Sequence, residues 1–113
     1  LQALALMNDV QFLEAARHFA ERIITNGGAT SADRIDYAYR SVLSRTPKPS
    51  ERAVVEGLFN EYLAEFQSTE GAATEFLNVG ESKRNEELEA NELGAWTMVA
   101  HMLLNLSETV TKN

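Results

Sequence analysis

An all-α fold, a compact bundle of five to six helices packed around a buried C-terminal helix, follows from three features of this chain. The first is Leu93-Gly-Ala-Trp-Thr-Met-Val-Ala-His-Met-Leu-Leu-Asn-Leu106, apolar on nearly every side when wound at 3.6 residues per turn. The second is the repeated upstream pattern of apolar residues at helical spacing, cut by caps and breakers. The third is the lack of strand-like alternation, with β-branched residues scattered. A helix apolar almost all round must be wrapped by its neighbours. At fourteen residues the stretch is also too short to span a bilayer, which needs about 20.

The elements are expected in the following order. Leu1 to Met7 reads as the interior of a helix, with Leu4, Ala5 and Met7 available for packing. Asn8-Asp9 breaks it, and Asp9 is a good N-cap for a helix from Val10 to about Thr25. That helix carries Val10, Leu13, Ala16, Ala20 and Ile24 on one stripe, widened by Phe12, Phe19 and Ile23. Gly27-Gly28 ends it. Ser31 is expected to cap the next helix, whose face is Ile35, Ala38, Tyr39, Val42 and Leu43.

Thr46-Pro-Lys-Pro-Ser50 is the sharpest boundary, because residues before proline avoid the α region. Ser50 is expected to cap a fourth helix with Glu51 in its first turn. Its broad face (Val54, Val55, Leu58, Phe59, Tyr62, Leu63, Phe66) calls for packing on both sides. A short helix with Ala72, Ala73, Phe76 and Leu77 stops by Gly80. Glu81 to Asn91 reads as an irregular charged linker anchored by Leu88, and the final helix as running from about Glu92 to Ser107.

The 113 residues amount to a single domain, 1–113, large enough to fold without a covalent staple. There is no cysteine, which removes disulfides, thiolate metal sites, cysteine nucleophiles and haem attachment through Cys-x-x-Cys-His. A net charge of −7 repels nucleic acid and anionic lipid, so no nucleic-acid partner is expected. No membrane span is expected either, because the longest apolar stretch is too short. The start at Leu1, with neither a basic leader nor a cap, reads as the C-terminal fragment of a larger multidomain protein.

Chemistry has few footholds. Glu14, His18, Glu21 and Arg22 share a helix side at spacings that suit a metal or an acid–base pair, but such spacing is common on solvated faces laced with ion pairs. This face is therefore expected to be solvated. No Glu-x-x-His occurs, so a carboxylate-bridged di-iron bundle fails. Glu86, Glu87, Glu89 and Glu92 lack the Asp-x-Asp-x-Asp-Gly calcium pattern and read as solvated. Asp36 and Arg40 are spaced for an ion pair, and Arg34, Arg40 and Arg45 are read as tying helix ends together. The sequon Asn105-Leu-Ser107 falls inside an apolar helix and is discounted. No cofactor is expected.

Thr97, His101 and Asn105, spaced by four, form the one polar stripe on the last helix. Three roles fit it: a solvent-facing strip, a hydrogen-bonded contact to another helix, or a docking edge for an upstream domain. With Leu4 these residues form the candidate interface. A catalytic His101 is disfavoured, since no acid lies within one turn to orient its ring. Trp96 is read as core.

Three segments together carry a family resemblance. They are Leu1-Gln-Ala-Leu-Ala-Leu-Met-Asn-Asp9, Arg34-Ile-Asp-Tyr-Ala-Tyr-Arg-Ser-Val-Leu-Ser-Arg-Thr-Pro-Lys-Pro-Ser-Glu51, and Val79-Gly-Glu-Ser82 followed by Glu92 to Thr109. In this order they resemble the C-terminal part of the planctomycete-specific domain of unknown function, family 1553, with Ala90 where that family often has proline. The resemblance implies a large exported bacterial protein, hence an extracytoplasmic location, in which such domains follow cytochrome c-like modules. It brings no catalytic residues with it.

Two function classes follow. The first is a non-catalytic helical interaction or structural module whose partners are the preceding domains of the same polypeptide, with weak self-association of the separated chain. The second is part of an enzyme domain whose active site is shared with an upstream region, His101 or His18 contributing.

Overall fold

The computed structural model describes residues 9–112, with side chains through Ser107. Among the described residues there are five helices and no strand: α1 Val10–Asn26, α2 Ser31–Leu43, α3 Pro49–Ser68, α4 Ala72–Leu77 and α5 Ala90–Lys112. They match the second to sixth helices expected from the sequence. The helix expected over Leu1–Met7, with Leu4 in it, lies outside the described residues.

The helix starts are set by side chains, not always the expected ones. Asp9 caps α1 as read, accepting from the Phe12 amide at 3.1 Å. At α2 the cap is Thr30 rather than Ser31, its hydroxyl accepting from the Asp33 amide at 3.1 Å. Ser50 does not cap α3: Pro49 takes the first helical position, where its missing N–H costs nothing. The Glu51 carboxylate then reaches back to accept from the Lys48 amide at 2.8 Å. The last helix starts two residues earlier than expected because Glu89 accepts from the amides of Asn91 (2.7 Å) and Glu92 (3.0 Å).

α5 is the axis of the molecule. Every residue from Leu93 to Ala100 is buried, as an all-round apolar helix requires. Trp96 is wholly enclosed, its ring 4.3 Å from that of Phe59 on α3. Phe66 lies so close to Gly94 that a Cβ there would fall 3.0 Å from its ring edge. Phe66 in turn stacks on Phe76 of α4 at 5.5 Å, which ties the short helix to the core. α1 supplies Leu13, Ala16, Phe19, Ala20 and Ile23, and α2 supplies Ile35, Ala38 and Tyr39.

The contacts also fix direction. Phe12, early in α1, meets His101, late in α5. Val55, early in α3, shares a groove with Met102, and Ser107 donates to the Val42 carbonyl at the end of α2. At the opposite end Arg34 of α2 joins Glu92 of α5 at 2.9 Å. So α1 and α3 run antiparallel to α5, and both begin at the end where α5 leaves the core.

Two packing expectations need correction. The broad face of α3 is not covered on both sides: Val55, Phe59 and Phe66 are buried, but Val54 is 64% exposed because α2 and α5 lie to one side of it. Asp36 pairs with Arg52 of α3 (2.8 Å) rather than with Arg40, which is exposed. The tying of helix ends by arginines holds for Arg34 and for Arg45, whose two guanidinium nitrogens grip Glu51 at 2.8 and 2.9 Å.

Candidate functional site

Two places concentrate polar chemistry. The first is the side of α1 that carries Glu14, Arg17, His18 and Glu21 at spacings of three and four, hence on one face. Sequence spacing predicts a solvated face of Glu14, His18, Glu21 and Arg22, without Arg17; Arg22 lies instead over the Phe19 ring. The structure instead lays the segment after α4 across it. Arg17, only 2% exposed, donates to the Leu77 carbonyl (2.9 Å), the Ser82 carbonyl (3.0 Å) and the Ser82 hydroxyl (2.7 Å). Glu14 accepts from both the amide and the hydroxyl of Ser82. Glu21 accepts from the Asn85 amide at 2.8 Å. Gly80, with φ of +95°, lets the segment turn there, and a Cβ on it would strike the Glu14 carboxylate.

Charge is matched accordingly. The Ser82 hydroxyl and amide, both donating to Glu14, hold its carboxyl below the usual carboxylate range. Ser82 is the residue at which five hydrogen-bond contacts from α1 converge, and Leu88 is therefore not the only anchor of the 81–91 stretch.

His18 adds a contact that invites a catalytic reading. Its Nε2 lies 2.9 Å from the Ser82 hydroxyl, and its Nδ1 lies 3.7 Å from Glu21. Hydroxyl, imidazole and carboxylate in line is the order used in acyl transfer. Here the same hydroxyl also meets the Glu14 carboxylate and the Arg17 guanidinium, so three α1 side chains converge on one oxygen and hold it in place. The cluster acts as a latch between α1 and the 77–85 segment.

The second place is the stripe on α5. Thr97 is 1% exposed, and its hydroxyl donates to the Leu93 carbonyl at 2.7 Å. It is a core side chain whose polar atom is returned to its own helix, so of the three roles open to the stripe none that needs solvent exposure includes Thr97. His101 is half-buried, its ring edge-on to Phe12 at 4.8 Å, and burial lowers its pKa. Asn105 approaches His101 Nδ1 at 3.2 Å and is exposed. The stripe therefore divides into one internal residue and two at the surface, next to the start of α1. Leu4, the fourth candidate, lies outside the described residues.

Beside these two residues is an apolar groove of about 280 Å³ between α3 and the end of α5, walled by Val54, Val55, Met102 and Leu106, with Tyr39, Ser50 and Glu51. The sequence reading passed over this groove, since it arises only where α3 and α5 diverge. Tyr39 is buried, which raises its pKa, while Glu51 is drawn down to about 2 by Arg45 and the Lys48 amide. Among the described residues no group of three or more His, Asp or Glu side chains is gathered to hold a metal ion, and no helix is long and apolar enough to cross a membrane.

Comparison with curated proteins and with solved structures found no match. The match to a known family falls on the N-terminal half, covering α1, α2 and the first half of α3, whereas the C-terminal segments that share the resemblance lie beyond it. The model of the family described as protein of unknown function, DUF1553, matches residues 1–59, more than half of the chain, and the chain belongs to that family.

Proposed function

We propose that this chain is a non-catalytic helical module that docks onto preceding domains of a larger exported polypeptide, through the end of the bundle where α1 and α3 begin and α5 leaves. One observation carries the reading. The exposed large apolar side chains, Val10 (49%), Val54 (64%) and Leu106 (41%), all sit at that end, beside the surface polar pair His101 and Asn105. Apolar surface gathered in one place and edged by polar groups is the composition of an interaction site. The modular setting and the extracytoplasmic location both rest on the family resemblance.

The alternative, an active site shared with an upstream region, draws only on the His18–Ser82 contact, where the same hydroxyl is also held by Glu14 and Arg17. The docking reading is tested by titrating the chain with the separately produced preceding segment of its parent polypeptide in a calorimeter. Saturable binding that Leu106→Glu abolishes, with the thermal transition unchanged, is the expected result. Binding indifferent to charges placed at Val54 and Leu106 would overturn it.

A further inference from the structure

Charge is unevenly spread along α3. From Arg40 to Arg52, around its start, the chain carries four basic residues and one acid, whereas between Arg52 and Lys83 it carries six acids and no base. The outer face of the helix is also left uncovered. α3 packs on α2 and α5, and the residues turned away from both, Ala53, Val54, Gly57, Glu61, Ala64 and Glu65, are all exposed. They recur at intervals of three and four, so they form one stripe. Val54 is 64% exposed there, and a Cβ added at Gly57 would meet no atom of the described residues within 4 Å. Glycine inside a helix weakens it, and packing within the chain gives no reason for this one. It does leave room for another backbone to come close.

We infer that two copies of the chain pair through this face, α3 against α3 in antiparallel order about a two-fold axis near Gly57. A contact of this kind closes on itself and makes every pairing twice. Lys48 lies nine positions before Gly57 and Glu65 eight after it, so at about 1.5 Å per residue they come level across the pair. Both are exposed. The choice of a second copy rests on this complementarity, because the basic start and the acidic remainder belong to one helix. A parallel arrangement would set Glu61 and Glu65 against their own counterparts. The net charge of −7 opposes association at long range, but salt screens it beyond about 8 Å at physiological ionic strength, and charges in contact lie within that distance. The inference does not depend on the docking proposed above, since Leu106 lies on α5 and outside this face.

Sedimentation of the intact chain across a concentration series tests it. A monomer–dimer equilibrium is expected. Lys48→Glu and Glu65→Lys should each weaken dimerisation about tenfold, since each sets like charges together in two places. The double variant restores opposite charges and should recover the wild-type constant. Net charge alone predicts otherwise, because Glu65→Lys lowers the repulsion between copies. Gly57→Arg should abolish the dimer. Arginine is the better helix former, so that loss is not one of unfolding. A chain that stays monomeric up to about 1 mM would overturn the inference. So would a dimer that Gly57→Arg leaves intact, or one in which the double variant pairs no better than the single ones.

Discussion

The two halves of α5 are similar in sequence and opposite in fate. Leu93 to Ala100 and His101 to Leu106 are both dominated by apolar residues with few polar interruptions. The first half is buried on all sides, while in the second only Leu103 is buried and Leu106 is 41% exposed. The difference lies in the neighbours. α3 and α4 close over the first half through Phe59, Phe66 and Phe76, whereas at the second half α3 diverges and leaves the groove. Hydrophobicity is a property of the residue, but burial belongs to the surroundings.

The sharpest way to break this comparison is Trp96→Ala in the enclosed half. The side chain is wholly buried against Phe59, so a loss of about 3–5 kcal/mol is expected in denaturant unfolding. A loss under about 1 kcal/mol would mean that the ring does not fill the core.

A smaller effect is expected from Arg17→Met, which keeps much of the apolar stem but removes the guanidinium from the Leu77 and Ser82 carbonyls. Leaving a buried carbonyl unpaired costs about 1–3 kcal/mol. The 77–85 segment should exchange its amide hydrogens faster while α5 stays protected. Equal acceleration in both would show that the latch and the axis are one cooperative unit.

Acidification should sharpen the contrast between charged and apolar anchoring. Glu14 and Glu51 are both held below their ordinary value of 4.5, Glu51 at about 2, so their contribution is present above that value and is lost as pH falls through the folded-state pKa. His101 is lowered from 6.5 by burial, so its protonation favours the unfolded chain and stability again declines as pH drops below 6.5. The stability difference between wild type and Glu51→Gln should be constant above pH 4.5 and shrink towards pH 2. A difference that grows on acidification would reverse the sign assigned to the Arg45–Glu51 pair.

The smallest effect belongs to the open half. Leu106→Gln should change stability by no more than about 0.5 kcal/mol, as at other exposed positions. A loss of about 2 kcal/mol or more in thermal or denaturant unfolding would mean that something covers this side chain in solution.

Local sequence determined most of the skeleton. Asp9 marks the start of α1, Thr46-Pro-Lys-Pro-Ser50 separates α2 from α3, and the apolar run after Leu93 identifies the axial helix, all from preferences that act within a turn or two. Where several good caps lie close together, as at Thr30-Ser31 and Lys48 to Glu51, local rules locate the boundary to within a residue or two but not the residue that closes it. The site was less legible. The spacing of Glu14, His18 and Glu21 places them on one face, yet nothing local says that this face meets Ser82 and Asn85, or that Arg17 beside it reaches Leu77, at separations of 60 or more positions. Likewise a stripe at 97, 101 and 105 reads as one surface, until packing encloses Thr97 and leaves Asn105 outside. Helix periodicity records which side chains share a direction. Which of those directions is covered depends on contacts between distant segments, and those exist only once the chain has closed on itself.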